Sequence, residues 1–167
     1  MRGMLNMRTL DGHQIIEQLG INYIKSGSSF GALSDQAIRF LFEKGVVLQL
    51  DKGDKLFSYG DPGDSFYIVL KGRIEYLKPR GNGFTHIRDY TFGQEFGCVA
   101  MIGLHDRAGD HIAPEESIVI QVTSELFHAL QEALPTDFGL FLLNLSREMA
   151  RRLRESDSRF VESQINR

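Results

Sequence analysis

Residues 46–122 limit the fold most strongly, because short apolar runs there alternate with clusters of turn-forming residues. Residues 51–54, 60–64 and 81–83 are such clusters, each rich in glycine with aspartate or asparagine. The apolar runs recur about every ten residues, which is the spacing of short strands joined by turns. Crossover helices do not fit into such connections, so the pattern predicts a sandwich or barrel rather than a parallel sheet.

Helical patterns flank this β zone on both sides. Before it, Ser34 is suited to cap a helix that ends at Gly45. After it, Pro135 separates two helices, and the second runs over about residues 138–160. We therefore divide the chain into an N-terminal helical segment (1–45), a β-barrel (46–122) and C-terminal helices (123–167).

The composition excludes several classes of protein. Nineteen Lys and Arg against 22 Asp and Glu give a net charge of −3, which argues against a globally basic nucleic-acid binder. Cys98 is the single cysteine, so no internal disulfide forms and a reducing, cytoplasmic location is expected. No apolar run reaches the length of about 18 residues that a membrane span needs, and the N-terminus lacks the apolar core of a secretion signal.

Two stretches carry the functional signal. The first, at residues 60–72, reads Gly-Asp-Pro-Gly-Asp-Ser-Phe-Tyr-Ile-Val-Leu-Lys-Gly. The second, at residues 96–110, begins Phe-Gly-Cys-Val-Ala-Met-Ile and ends Arg-Ala-Gly-Asp. Together they resemble the cyclic-nucleotide-binding domain family, which includes the catabolite activator protein and the regulatory subunit of protein kinase A. The resemblance extends over about residues 33–160.

This resemblance implies a fold and a function. The fold is mainly β: a double-stranded β-helix, or jelly-roll-like barrel, of about eight strands with N-terminal helices and a long C-terminal helix. The function is that of a non-catalytic sensor whose ligand is cyclic AMP or a related cyclic nucleotide, a small anion. Ala108 favours cyclic AMP, since family members that bind cyclic GMP often carry threonine there.

The second stretch resembles the phosphate-binding cassette of the family. Arg107 follows Cys98 by nine positions, which is the family spacing between a ribose-binding glutamate and a phosphate-binding arginine. An arginine fork pairs well with phosphate, and backbone amides at the start of a short helix offer further donors. The resemblance assigns the binding site to Phe96, Gly97, Cys98, Val99, Ala100, Arg107 and Ala108.

Three substitutions depart from the family pattern. Cys98 replaces the glutamate, Asp106 replaces a proline and Asp110 replaces a threonine. A thiol is a poor hydrogen-bonding group, and extra carboxylates beside a phosphate repel it. We therefore expect weakened or altered ligand binding. A scaffold that keeps the fold but binds no ligand is the alternative.

Metal, redox and catalytic functions fit the sequence less well. Cys98, His105, Asp106, Asp110 and His111 have the composition of a metal site but match no zinc spacing, and a polar loop is the simpler interpretation. A helix start and Arg107 could lower the pKa of the Cys98 thiol, which leaves a redox sensor as a further alternative. No catalytic triad or Walker loop is present, so no enzyme is expected.

The last predicted helix carries a stripe of residues at alternating steps of three and four. The stripe consists of Leu142, Leu145, Met149, Leu153 (or Arg152), Ser156 and Phe160. We expect its first half to pack on the barrel and the part beyond Arg151 to project, where a second copy would cover it as a short coiled coil. Residues 161–167 are too few for a helix-turn-helix, so no direct DNA binding is expected and the downstream partner is an unknown protein. A transcription regulator without its DNA-reading domain is the remaining alternative.

Overall fold

The computed structural model describes residues 7–165, in which nine strands form two sheets flanked by helices. The strands are β1 (Arg8–Leu10), β2 (Val46–Leu50), β3 (Lys55–Phe57), β4 (Ser65–Lys71), β5 (Ile74–Arg80), β6 (Gly83–Tyr90), β7 (Glu95–Phe96), β8 (Asp110–Ile112) and β9 (Ser117–Thr123). The helices are α1 (Gly12–Leu19), α2 (Ile21–Lys25), α3 (Asp35–Lys44), α4 (Cys98–Gly103), α5 (Ser124–Ala133) and α6 (Pro135–Ile165). The ends of the first and last predicted segments, residues 1–6 and 166–167, lie outside the described residues.

The two sheets confirm the jelly-roll-like architecture. One sheet has the order β1-β2-β9-β4-β7 and the other β3-β8-β5-β6, and their strand pairs are antiparallel. The sheets are not joined into a closed barrel. Nine strands are observed where about eight were expected: β1 comes from a segment expected to be helical, and β8 carries the polar residues Asp110 and His111.

Strand β4 shows why the centre of the fold is so apolar. Its first six residues are all buried, so no polar-apolar alternation remains. Phe66, Ile68 and Leu70 point into a core shared with the helices, whereas Tyr67 and Val69 belong to an aromatic-rich core between the sheets. A strand that is covered on both faces reads as a continuous apolar run, and this is how β4 reads.

The helix caps link the N- and C-terminal helical segments. Ser34 caps α3 as predicted, because its Oγ accepts a hydrogen bond from the Ala37 amide at 3.1 Å. Asp137 of α6 accepts from the Ser34 amide at 2.7 Å and from its hydroxyl at 2.9 Å. Helix α6 begins at Pro135, earlier than predicted, since proline is well suited to the first helical position.

Helix α6 buries a different face from the predicted stripe. Its buried residues are Phe141, Asn144, Leu145 and Glu148. Leu145 alone is shared with the stripe, whereas Leu142 is exposed, because the helix is rotated so that Phe141 faces the core. The exposed end beyond Arg151 agrees with the prediction, apart from the half-buried Arg152. Within residues 7–165 no helix is both long and apolar enough to cross a bilayer.

Two glycines allow the N-terminal segment to meet the β-sheets backbone to backbone. Gly93 lies in the turn between β6 and β7 with φ of +78°, and its Cα faces Gly27. The Ser29 amide donates to the Gly93 carbonyl at 3.0 Å, and the Ser28 hydroxyl donates to it at 3.2 Å. Residues 27–29 therefore anchor the helical segment directly to the turn that precedes the predicted binding cassette.

We expect Gly93→Ala to lower the free energy of unfolding by about 3 kcal/mol, measured by urea denaturation. A methyl group there would be strained by the left-handed backbone and would also overlap the backbone of Gly27. Gly60→Ala is the matched control, because Gly60 has a similar φ of +84° with open space around it. Only the strain remains in that variant, about 1 kcal/mol. Equal losses in the two variants would contradict the proposed packing.

Candidate functional site

A cavity of about 370 Å³ lies between the four-stranded sheet, α4 and α6. Its wall combines cationic side chains with aromatic rings. The cations are Lys78, Arg88, Arg107 and Arg152, and the rings are Phe57, Tyr76, Tyr90, His105 and His111. In the described part of the chain no Asp or Glu lines this cavity, so its charge suits an anion.

A second, larger cavity of about 640 Å³ lies between β6 and α6. Its arginines are accompanied by the acidic side chains of Asp89, Glu148 and Glu155, and none of the predicted site residues lines it. The smaller cavity is therefore the candidate site.

Arg107 is held in a buried position at the wall of the smaller cavity. Its Nη1 donates to the Gly97 carbonyl at 3.0 Å and its Nη2 to Ser65 Oγ at 3.1 Å. The guanidinium carbon lies 4.1 Å from the centre of the Phe57 ring, a cation–π contact. Nε is buried and has no hydrogen-bond partner among the described residues.

The two sequence motifs meet at the backbone of Arg107. Its amide donates to the Asp61 carbonyl at 2.8 Å, and its carbonyl accepts from the Gly60 amide at 2.9 Å. The Gly-Asp-Pro-Gly-Asp turn therefore fixes the backbone from which the guanidinium extends. The role of this motif is positional, and its effect on the site passes through Arg107.

Burial makes Arg107 an unusual cation. Desolvation lowers the pKa of its guanidinium, while Tyr67, Asp64 and Asp61 act in the opposite direction. Ser65 relays part of this effect, because its hydroxyl accepts from Arg107 and donates to Asp64 at 3.1 Å. Asp61 and Asp64 act on this charge without a direct ion pair to Arg107 among the described residues, so a ligand could supply the closest counter-charge.

Gly97 shapes the loop beside Arg107. It has a left-handed backbone with φ of +85°, and a Cβ there would lie 2.6 Å from Arg107 Nη1. The next turn starts α4, and the amides of Val99 and Ala100 have no acceptor among the described residues. Gly97, Val99, Ala100, Arg107 and the exposed Ala108 all line the cavity.

Phe96 and Cys98 lie behind the cavity wall. Phe96 stacks on Tyr67 between the sheets, and Cys98 is fully buried in the core shared with the helices. Burial raises the pKa of the Cys98 thiol to about 12. The expectation that a helix start and Arg107 would lower this pKa is wrong, because desolvation by burial raises it.

The two acidic substitutions differ in their surroundings. Asp110 is buried with its carboxylate turned to β3, where it accepts from Lys55 Nζ at 2.5 Å and from the Tyr59 amide at 2.8 Å. Asp106 is exposed and lines a neighbouring surface depression, which shares Lys78, Arg107 and Ala108 with the cavity. The predicted repulsion is therefore absent for Asp110, since Lys55 neutralises it.

The interpretation of residues 105–111 as a polar loop is wrong for Asp110 and His111. Both are buried in β8, with exposed fractions of 3% and 5%. In residues 7–165 the one group of His and carboxylate side chains compact enough for a metal is Glu75, His86 and Asp89. Asp89 there already pairs with Arg73 at 2.9 Å.

Sequence reasoning missed a buried ion pair next to the cavity. Glu95 of β7 is fully buried and pairs with Arg152 of α6, whose Nη2 also donates to the Glu95 carbonyl at 3.1 Å. The second carboxylate oxygen of Glu95 accepts from the Cys98 amide at 3.4 Å. The partners are 57 residues apart, and no local pattern in the sequence indicates that they meet.

The comparisons with known proteins agree with this fold. Residues 47–133 match the family model of the cyclic nucleotide-binding domain. The crystal structure of a cyclic nucleotide-binding domain from Methylobacillus flagellatus superposes with a TM-score of 0.82 and 21% identity, covering 95% of this chain and 89% of that one. At this identity the likeness establishes the fold alone.

Two curated relatives are much longer than this chain. The regulatory subunit of the cAMP-dependent protein kinase of Yarrowia lipolytica is 29% identical over 90 residues, which are 54% of this chain and 23% of the relative. The lysophospholipase NTE1 of Mycosarcoma maydis is 29% identical over 106 residues, which are 64% of this chain and 5% of that protein.

The buried thiol gives a direct test of this site. We expect Cys98 of the folded protein to react with iodoacetamide about a thousandfold more slowly than a free thiol at mildly alkaline pH, because its pKa of about 12 leaves almost no thiolate. Mass spectrometry of the modified protein measures the rate. The urea-unfolded protein is the control and should react at the ordinary rate. Equally fast modification of the folded protein would show that the thiol is accessible and ionised.

Proposed function

The chain belongs to the cyclic nucleotide-binding domain family, and on this basis we propose that it is a regulatory module whose cavity binds a cyclic nucleotide. One observation carries the proposal: Arg107 lines an anion-suited cavity, is buried, and has no carboxylate partner among the described residues. A buried cation without a counter-charge is costly unless a ligand supplies one. Cyclic AMP is the ligand we favour, since Ala108 stands where binders of cyclic GMP often carry threonine.

The phosphate would lie against Arg107 and the start of α4. The guanidinium supplies the positive charge, and the amides of Val99 and Ala100 offer two donors. Gly97 keeps this approach open because it has no side chain. The proposed phosphate site thus consists of one cation and backbone donors held by the Gly60–Asp61 turn, with Phe96 supporting it from behind.

Specificity in this cavity would differ from the family pattern. Cys98 stands in the place of the ribose-binding glutamate, and its side chain is buried in the core. In the described part of the chain no carboxylate lines the cavity to replace the family's glutamate. The module would therefore bind its nucleotide with weakened or altered discrimination of the sugar.

Binding would act on the position of α6. Arg152 lines the cavity and at the same time pairs with Glu95, so an anionic ligand would compete for the same guanidinium. The shift of this contact would alter how the exposed end of α6 is presented to a partner. Such a switch needs different affinities of the ligand for the two arrangements of the helix.

We propose a non-catalytic role. The cavity wall supplies cations and rings, and the match to the lysophospholipase covers 5% of that protein, which gives no reason to assign its activity to this chain. The proposed partner is an unknown protein, without direct DNA contact, and the single reduced cysteine is consistent with the cytoplasm. A ligand-free scaffold, or a transcription regulator lacking its DNA-reading domain, is the alternative.

A second copy of the chain is the proposed cover for the end of α6. Leu153, Phe160, Val161 and Ile165 are between 57% and 77% exposed there. Leu153 and Phe160 are seven residues apart, which is the spacing of a coiled-coil seam. We therefore propose a homodimer in which this seam is shared.

Arg107→Ala should weaken the binding of cyclic AMP about 100-fold, as measured by isothermal titration calorimetry. The loss corresponds to a charge-assisted hydrogen bond in a buried site. Arg154→Ala is the matched control, because Arg154 is exposed on α6 outside the cavity. This variant should bind cyclic AMP with the affinity of the wild type. Arg107→Lys should lie between the two, since it keeps the charge but lacks the fork.

Two outcomes would decide against this function. If the wild-type protein gave no heat and no thermal shift with millimolar cyclic AMP and cyclic GMP, the scaffold alternative would be favoured. If Arg107→Ala bound as tightly as wild type, Arg107 would lie outside the ligand site.

Phe160→Glu should convert a dimer into a monomer in sedimentation-velocity experiments, because it buries a charge in the proposed seam. Ser158→Glu is the matched control, since Ser158 is equally exposed but lies about 200° around the helix from Phe160. That variant should remain dimeric. A monomeric wild-type protein at micromolar concentration would rule out the seam.

A further inference from the structure

His111 is a buried polar side chain that the phosphate site does not use. It lies in the middle of β8, where its register partners are Phe57 of β3 and Tyr76 of β5. Only 5% of its surface is exposed, and it forms part of the cavity wall. The backbone of the four-stranded sheet therefore holds the imidazole at the wall of the cavity.

The surroundings of His111 are aromatic, and no described side chain offers it a hydrogen bond. The ring centres of Phe57, Tyr76, Phe96 and Tyr90 lie 4.4, 4.7, 5.2 and 5.7 Å from the imidazole centre. Neither Nδ1 nor Nε2 has a partner among the described residues. An apolar ring would fill this position without leaving two buried polar atoms unsatisfied, so packing alone does not explain a histidine here.

The imidazole is neutral in this environment. Burial, together with the charge of Arg107, lowers its pKa to about 3, while the Gly109 backbone and Asp110 act in the opposite direction. A neutral imidazole carries one N–H donor and one acceptor nitrogen, and exchange of the proton between them lets either nitrogen match the group that it meets. Such a side chain suits an uncharged hydrogen-bonding group rather than the phosphate itself.

The position of His111 relative to Arg107 indicates which part of a ligand it would meet. Both side chains lie against the ring of Phe57, with the guanidinium carbon 4.1 Å and the imidazole centre 4.4 Å from its centre. A phosphate at Arg107 therefore places the next chemical group, the sugar, near His111. The far edge of the base is too far from the phosphate to contact His111 in the same arrangement.

We propose that His111 is a specificity-determining residue, whose imidazole hydrogen-bonds to the sugar hydroxyl next to the cyclic phosphate. It would supply the sugar recognition that the buried Cys98 does not provide. This inference rests on the proposed function, since it requires a phosphate at Arg107. The ligand class is thereby narrowed to ribonucleotides with a free 2′-hydroxyl.

The test compares cyclic AMP with 2′-deoxy cyclic AMP by calorimetry on the full chain. Wild type should prefer the ribonucleotide about tenfold, the effect of one hydrogen bond in a buried site. His111→Phe keeps an aromatic ring but no ring nitrogen, and it should bind both ligands within about twofold of each other. His128→Ala is the matched control, because His128 is an exposed histidine of α5 that does not line the cavity, and it should keep the preference.

Two further measurements separate recognition from a structural role. His111→Phe should raise Tm by about 3 °C, because it removes unsatisfied polar atoms from an aromatic core. In wild type, one imidazole ¹⁵N signal of His111 should shift on addition of cyclic AMP and not on addition of 2′-deoxy cyclic AMP. A lowered Tm together with a retained preference would assign His111 to packing and overturn the inference.

The outcomes also separate this inference from the proposed function. Equal binding of the two nucleotides by wild type, with the Arg107 dependence intact, would overturn the role of His111 alone. A tenfold preference that persists in His111→Phe would do the same. Failure of wild type to bind either nucleotide would overturn both the proposed function and the inference.

Discussion

The rest of the site depends on a guanidinium that is buried without a counter-charge. Burial of an unpaired cation is strongly unfavourable, and two hydrogen bonds, from Arg107 to Ser65 and Gly97, together with the Phe57 ring, offset part of that cost. Two neighbouring features keep Arg107 in this position: the Gly60–Asp61 turn holds its backbone, and Gly97 leaves room for its Nη1. An anion bound in the cavity would offset the part of the desolvation cost that remains.

The sequence predicted those parts of the fold that depend on local chemistry. The Ser34 cap, the turn glycines and the break at Pro135 follow from the conformational preferences of single residues. Strand β8 was not predicted, because Asp110 and His111 resemble polar loop residues in the sequence. Their burial depends on Lys55 and on rings from other strands. The three-residue strand β1 was not predicted for a similar reason, since its pairing with β2 is non-local.

The same distinction explains the candidate site. Spacing within one segment placed Arg107, Gly97 and the start of α4 on the same cavity, because those residues are joined by a short stretch of chain. The Glu95–Arg152 pair could not be predicted, since α6 brings it together over a long sequence separation. Cys98 shows the opposite limit: its position in the motif is right, but the direction of its side chain depends on a core assembled from several helices.

The two halves of α6 are held by different forces, and this difference bears on how a ligand could be sensed. The first half is anchored by Phe141 and Leu145, whose contacts are apolar and independent of charge. The second half is held through Arg152 to Glu95, Arg88 to Glu155 at 3.4 Å, and Arg159 to the Ile87 carbonyl at 2.9 Å. Polar contacts of this kind respond to any charge placed beside them, and Arg88 and Arg152 both line the cavity. An anion there would therefore act on the second half of the helix rather than on the apolar anchor of the first half.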